Sequence, residues 1–125
     1  MEKLLAVLPC KPWKVFAGQL TLAQLAAVIQ HGALHLCGDT GTLHLALMVG
    51  APAVSWFRPS SGMEAWIPKG KGYRTIVGTT STEAKYLPGV STDEIVKAVR
   101  ELLSDAGLPL QCSPQRTASG RSQPA

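Results

Sequence analysis

The sequence has few cysteines and no long apolar run. Its three cysteines (Cys10, Cys37 and Cys112) are an odd number without C-x-x-C spacing, so neither a disulfide framework nor a zinc site is indicated. No stretch reaches the roughly 18 consecutive apolar residues of a membrane span. The start of the chain also lacks a basic leader followed by a small-residue cleavage site. We therefore expect a reduced, cytoplasmic protein.

Charge of either sign is also scarce. Charged residues make up 16% of the 125 residues and hydrophobic residues 46%, whereas globular proteins average about 25% charged. That balance predicts one globular unit and excludes a disordered, collagen-like or coiled-coil chain. The formal net charge is +4, and two of the twelve basic residues, Arg116 and Arg121, lie among the last ten. The remaining excess is too small to indicate nucleic-acid binding.

Short segments alternate between helix-like and strand-like patterns. Two S/T-x-x-E/Q sequences, one at Thr21 and one at Ser91, are capping boxes that predict helix starts. The predicted helices cover 1–8, 21–31, 43–49 and 92–104, and the predicted strands cover 13–16, 33–37, 53–57 and 73–77. This alternation is typical of an α/β fold with a parallel sheet and helices on its faces.

Two stretches depart from this alternation. Residues 58–71 are rich in proline, glycine and serine, which predicts a long surface loop of the kind that often carries function. Periodicity is lost after Gly107. We therefore predict a domain over 1–107 and a disordered tail over 108–125.

The Gly-Asp-Thr-Gly sequence at 38–41 follows a predicted buried strand and precedes a predicted helix. Ligands of open α/β sheets bind beyond the carboxyl ends of the strands. The bracketing glycines allow positive φ and a close backbone approach, while the amides of Thr40, Gly41 and Thr42 favour an anion such as diphosphate. His44 follows Gly41 by three residues, so its imidazole is predicted to reach a phosphate or sugar hydroxyl.

The same residues also have other interpretations. Asp39 or Thr40 can simply cap the helix, with His44 half-buried and bonded to the backbone. D-T-G is also the active-site triplet of retroviral-type aspartic proteases, but those need an all-β frame, and here the triplet leads into a predicted helix. A Rossmann-like interaction module without any ligand is a further alternative.

Other polar and aromatic residues have more ordinary predicted roles. We expect His35 to be structural and Cys37 to pack as a small hydrophobe. Packing in the core or loop is favoured over ligand stacking for Trp66. Arg58 is a candidate for contact with an anion, although a solvated side chain is the commoner state of a loop arginine.

Three blocks of the sequence resemble glycosyltransferase family 9, the lipopolysaccharide heptosyltransferases. The blocks are FAGQLTL at 16–22, LCGDTGTLHLA at 36–46 and GAPAV at 50–54. The middle block holds a D-T-G-x-x-H-x-A core, with a G-x-x-[ST]-L helix start before it and a G-x-P strand start after it. The resemblance extends from about Val15 to Leu103.

The resemblance implies a Rossmann-like, GT-B type donor domain. Such a domain binds a nucleotide sugar, typically ADP-heptose, whose sugar is transferred to a lipopolysaccharide-type acceptor. It implies that residues 39–41 and His44 contact the diphosphate and the sugar, with Asp39 holding sugar hydroxyls or orienting the loop. Further candidates for donor contact are Gly38, Thr42 and Arg58. Neither a cofactor nor a metal is expected.

The resemblance also implies that parts of the enzyme are missing. Family members carry an acceptor domain with the catalytic base ahead of the donor domain, and neither is matched here. Donor-domain strands between the one near Val15 and the one near Leu36 are also expected to be absent. We therefore expect an incomplete glycosyltransferase acting with a separate acceptor segment or by self-association, or a non-catalytic remnant. No catalytic residue is assigned.

Overall fold

Three parallel strands form the centre of the molecule. The computed structural model describes residues 2–8, 10–60, 62–79 and 89–108. In these ranges the strands, in spatial order, are β1 (His35–Gly38), β2 (Ala53–Phe57) and β3 (Tyr73–Val77). Gly38 lies opposite Trp56, and Trp56 opposite Ile76. Because helices flank this parallel sheet, the predicted α/β, Rossmann-like fold is confirmed.

The four predicted helices are all present. They are α1 (Glu2–Val7), α2 (Leu22–His31), α3 (Gly41–Met48) and α4 (Thr92–Asp105). Both predicted capping boxes form: the Thr21 and Ser91 hydroxyls accept hydrogen bonds from the backbone N–H groups of Gln24 and Glu94, whose side chains accept in return from the cap N–H groups. The first turns of α2 and α4 are thus satisfied by their own sequence.

Helices α2 and α3 cover one face of the sheet. The core on this side consists of Ile29, Cys37, Leu43, Ala46, Ala51, Ala53 and Phe57. Leu43 and Ala46 of α3 are fully buried, whereas Met48 is 82% exposed. Sheet and α2 therefore cover two sides of α3, and its outer side remains open.

Helix α4 covers the other face of the sheet. Val54 of β2 packs there against Ala98 and Leu102 of the helix. An ion pair between Arg74 of β3 and Asp105 of α4, with 2.5 Å between nitrogen and oxygen, ties the end of the helix to the edge of the sheet. The two faces of the sheet are thus covered by separate apolar clusters.

The predicted strand at 13–16 is wrong. These residues belong to no strand, and the N–H of Gln19 donates to the carbonyl of Phe16 in a turn. Trp13 is 93% exposed, because nothing in the described ranges pairs with this segment and buries its side chains. As a result, β1 has a strand neighbour only on its β2 side within those ranges, and Leu36 beside its open edge is 48% exposed.

Some predicted element bounds shift by a few residues, and one prediction concerns residues that the structure does not describe. The predicted strand at 33–37 begins at His35 and extends through Gly38, and the helix predicted from Leu43 begins at Gly41. The loop at 58–71 contains a short 3-10 helix, Met63–Ala65. The predicted tail lies outside the described residues from position 109 onward. No helix in the described part of the chain is both long and apolar enough to cross a membrane.

Candidate functional site

The Gly-Asp-Thr-Gly sequence lies at the carboxyl edge of the sheet. Gly38 is the last residue of β1, Asp39 and Thr40 make the bend, and Gly41 begins α3. The side chains of the bend are exposed. The predicted strand-to-helix turn is therefore confirmed, at the edge where parallel α/β sheets bind their ligands.

The N-terminus of α3 is not capped by a side chain. Thr40 occupies the N-cap position with extended backbone, φ −146° and ψ 162°, but its side chain makes no capping hydrogen bond. The Thr40 Oγ1 instead lies 3.0 Å from the Thr42 Oγ1. The interpretation of Asp39 or Thr40 as a simple cap is therefore wrong. The Leu43 N–H donates to the Thr40 carbonyl at 3.0 Å. The N–H groups of Gly41 and Thr42 remain available, and the helix dipole there favours a negative charge.

The two glycines serve different purposes, and neither has the positive φ that the sequence predicted. A Cβ on Gly38 would lie 3.2 Å from Nε1 of Trp56, so the indole on the next strand would have to shift by a few tenths of an ångström. A Cβ on Gly41 would meet no atom within 4 Å. Gly38 therefore lies in a tight contact with the neighbouring strand, whereas the Cβ position of Gly41 is open.

A small polar network lies beneath the turn. His35 Nε2 and Thr42 Oγ1 are within hydrogen-bond distance at 3.0 Å, and the Cys37 thiol lies close to the side chains of Thr42 and Thr40. Burial lowers the pKa of His35. Burial also raises the pKa of Cys37, outweighing those hydroxyl contacts, and the nearby Asp39 carboxylate raises it further. The network is therefore neutral near pH 7, and it fastens the start of α3 to β1.

His44 lies on α3 within one helical turn of the bend. It is half-buried, and its ring packs edge-on against Trp66, with 5.5 Å between ring centroids and an interplanar angle of 74°. Its side chain makes no hydrogen bond to any other described residue, so the predicted bond to the backbone is wrong. The imidazole nitrogens remain available for a ligand beside the turn.

Charged side chains frame the turn without closing it. Arg58 directly follows β2, the strand beside β1, and is exposed at the same edge of the sheet. Asp39 is exposed in the bend itself. The Asp39 carboxylate repels an anion but can accept hydrogen bonds from hydroxyl groups. The N–H groups at the start of α3 can donate hydrogen bonds to phosphate oxygens. Within the described ranges, no three His, Cys, Asp or Glu side chains are grouped so that they could hold a metal ion.

The fold gathers most of the predicted residues. Asp39, Thr40, Gly41 and Thr42 are consecutive at the end of β1, and His44 follows on the same helix. Arg58 shares only the carboxyl edge of the sheet, and among the described residues no ion pair or hydrogen bond joins its side chain to the turn. Sequence reasoning missed two contacts, that of His35 with Thr42 and that of His44 with Trp66. Neither pair has a spacing that marks its members as neighbours on one helix or strand.

The surroundings of the D-T-G triplet exclude the protease interpretation. The triplet lies between a parallel strand and an α-helix. Retroviral-type aspartic proteases need an all-β frame around it, as argued from the sequence. Asp39 therefore has no place in a protease dyad of that type.

A comparison with protein families agrees with this geometry. The family model described as "Glycosyltransferase family 9 (heptosyltransferase)" matches residues 2–87. That range includes β1, the turn, α3, β2 and β3. Neither a curated protein nor a solved structure matches the chain significantly.

Proposed function

Because this chain belongs to glycosyltransferase family 9, we propose that it binds the diphosphate of a nucleotide-sugar donor at the start of α3. The family supports a glycosyltransferase-type function and use of a nucleotide sugar. We propose in addition that the donor is an ADP-sugar of the ADP-heptose type and that the acceptor belongs to lipopolysaccharide assembly.

The uncapped start of α3 is the observation that carries this proposal. The N–H groups of Gly41 and Thr42 lie where β1 ends and α3 begins, and a Cβ added to Gly41 would meet no atom within 4 Å. Backbone amides and a helix dipole bind phosphate without a cationic side chain. The site therefore suits a diphosphate better than a neutral nucleoside.

The same amides have a role in the transfer step. When the sugar C1–O bond breaks, the electron pair of that bond goes to the departing diphosphate, and an acceptor oxygen forms the new bond to C1. Donors already aimed at the diphosphate stabilise this growing charge without reorganising. In this proposal, Asp39 accepts hydrogen bonds from sugar hydroxyls, and His44 contacts the diphosphate or the sugar from α3. Another segment binds the acceptor and supplies the catalytic base, which takes the proton of the attacking hydroxyl.

Calorimetric titration tests the donor site. We expect ADP and pyrophosphate to bind and adenosine not to bind at the same concentrations. Gly41→Val should reduce ADP affinity by tenfold or more, because it fills the space through which the diphosphate approaches. Gly72→Val is the matched control. Gly72 also lacks a positive φ and has no atom within 4 Å of an added Cβ. It directly precedes β3, at the amino ends of the strands and away from the turn.

Two results would contradict the proposal. Equal binding of ADP and adenosine would remove the role of the diphosphate, and equal ADP affinity in the two glycine variants would place the ligand elsewhere. Failure of the wild-type chain to bind any of the ligands would favour the alternative of a non-catalytic remnant. A thermal melt of each variant ensures that lost binding does not reflect lost folding.

The open edge of β1 supports a further part of the proposal, that the chain acts with another segment. Leu36 is 48% exposed beside this edge, and an exposed strand edge is a template for pairing with another chain. We propose either a separate acceptor-domain segment or a second copy as the neighbour. Sedimentation velocity across a range of concentrations distinguishes a self-associating chain from one that stays monomeric until such a segment is added.

A further inference from the structure

Trp66 is a large aromatic side chain held at the surface by a well-anchored loop. It is 60% exposed, yet its backbone is fixed because its N–H donates to the carbonyl of Met63 at 2.9 Å. Met63 and Ile67 on either side both pack against the core beneath α2 and α3. The loop thus buries its neighbours and leaves the indole outside.

The exposed indole borders the donor site. Its ring contacts the ring of His44, 5.5 Å away between centroids, and His44 lies one helical turn after Gly41. Trp66 comes from the segment after β2 and the turn comes from the end of β1, so both belong to the carboxyl edge of the sheet. Trp66 therefore borders the donor site through its contact with His44.

A diphosphate gives no reason for an indole at this position. Phosphate oxygens need donors and positive charge, whereas a tryptophan face attracts flat or apolar ring surfaces. A nucleotide sugar offers such a surface at both ends of its diphosphate, as a base and as the C–H face of a sugar. We propose that Trp66 packs against one of these rings when the diphosphate lies on the α3 amides. This inference rests on the proposed function and adds a residue that selects ring-bearing ligands.

Another exposed tryptophan provides a control. Trp13 is 93% exposed, but it lies with Phe16 and Val28 beside α2, away from the turn. Removing it changes the exposed aromatic surface of the chain without touching the donor site. Trp66→Phe provides the second comparison, because it keeps an aromatic face on the same loop.

The test is calorimetric titration of the full chain with pyrophosphate, ADP and ADP-glucose. Trp66→Ala should lower the affinity for at least one of the two nucleotides about tenfold, the size of a base–aromatic contact, and leave pyrophosphate affinity unchanged. Trp66→Phe should retain most of the affinity, and Trp13→Ala all of it. An equal loss for ADP and ADP-glucose assigns the base to Trp66, and a loss confined to ADP-glucose assigns the sugar.

Two outcomes overturn the inference. Trp66→Ala with wild-type affinity for all three ligands removes Trp66 from the site, and an equal loss for pyrophosphate and the nucleotides gives it a merely structural role. Both leave the proposed function standing, because the wild-type chain still binds diphosphate. If the wild-type chain binds none of the three ligands, the proposed function fails and this inference fails with it.

Discussion

Helices α2 and α3 lie side by side on one face of the sheet but begin in opposite ways. At α2, the Thr21 hydroxyl and the Gln24 side chain form a complete capping box. At α3, Thr40 holds the same position, but its hydroxyl lies against Thr42 and caps nothing. Helix α4 begins as α2 does, with Ser91 and Glu94.

The contrast separates stability from binding. A capped helix start satisfies its own N–H groups, which benefits the fold and leaves nothing for a ligand. An uncapped start leaves donors unsatisfied, and an anion can satisfy them instead. The uncapped start is the one at the carboxyl edge of β1, which agrees with a donor-binding role for α3.

The largest expected effect comes from converting the start of α3 into a capped one. Thr40→Asp places a carboxylate where it accepts from the first-turn amides and repels a diphosphate. We expect ADP affinity to fall at least tenfold, or about 1.4 kcal/mol, while the free energy of unfolding stays equal or rises by up to about 1 kcal/mol.

Thr21→Asp is the matched control, since it makes the same chemical change at the start of α2. Calorimetry with ADP and urea unfolding measure both quantities. If Thr40→Asp bound ADP as the wild type does, the start of α3 would not be the ligand site.

An intermediate effect is expected from removing the caps themselves. Ser91→Ala should destabilise the fold by about 1 kcal/mol, the usual cost of a lost N-cap. Thr40→Ala should lower the free energy of unfolding by only a fraction of that amount, because the Thr40 side chain makes no capping hydrogen bond. Urea unfolding of the two variants decides the matter, and equal destabilisation would mean that Thr40 does cap α3 in solution.

The smallest expected effect concerns pH. The uncapped start of α3 and the capped start of α4 lose stability over different pH ranges. Burial lowers the pKa of His35, so the unfolded chain takes up this proton more readily than the folded one. The neutral His35 imidazole therefore makes its full contribution to the free energy of unfolding above about pH 6.5. This contribution declines as the pH falls below that value. Hydrogen bonds from the Ser91 N–H and hydroxyl lower the pKa of Glu94, so the cap of α4 contributes fully above about pH 4.5 and weakens only below it.

Thermal melting between pH 8 and pH 3 covers both ranges. His35→Gln should flatten the decline that begins near pH 6.5 and leave the later one. His31→Gln, at an exposed histidine on α2, is the matched control. An unchanged profile in His35→Gln would show that the histidine beneath the turn is not linked to folding.

Local patterns sufficed to predict much of the fold. The capping boxes at Thr21 and Ser91 placed the starts of α2 and α4, because such contacts depend on residues only three apart. The apolar run at 53–57 indicated a strand, because a short continuous apolar segment is typical of a strand in a parallel sheet. The strand predicted at 13–16 failed because a strand requires a partner, and no local pattern reveals whether one is present.

The candidate site was predictable as a turn but not in its details. The motif at 38–41 identified the bend and the helix after it. The role of Gly38 depends on the indole of Trp56, which is 18 positions away and adjacent only through strand register. The contacts of His35 with Thr42 and of His44 with Trp66 likewise depend on tertiary packing. Such contacts decide which hydroxyl caps a helix and which aromatic ring reaches a site.

The most direct test of the central claim compares the three helix starts in one experiment. Amide ¹H–¹⁵N spectra of the full chain, recorded during titration with ADP, report on each backbone N–H separately. We expect the largest shifts at the N–H groups of Gly41 and Thr42, with little change in the first turns of α2 and α4. Shifts of equal size at all three helix starts, or none at α3 while ADP binds elsewhere, would contradict it.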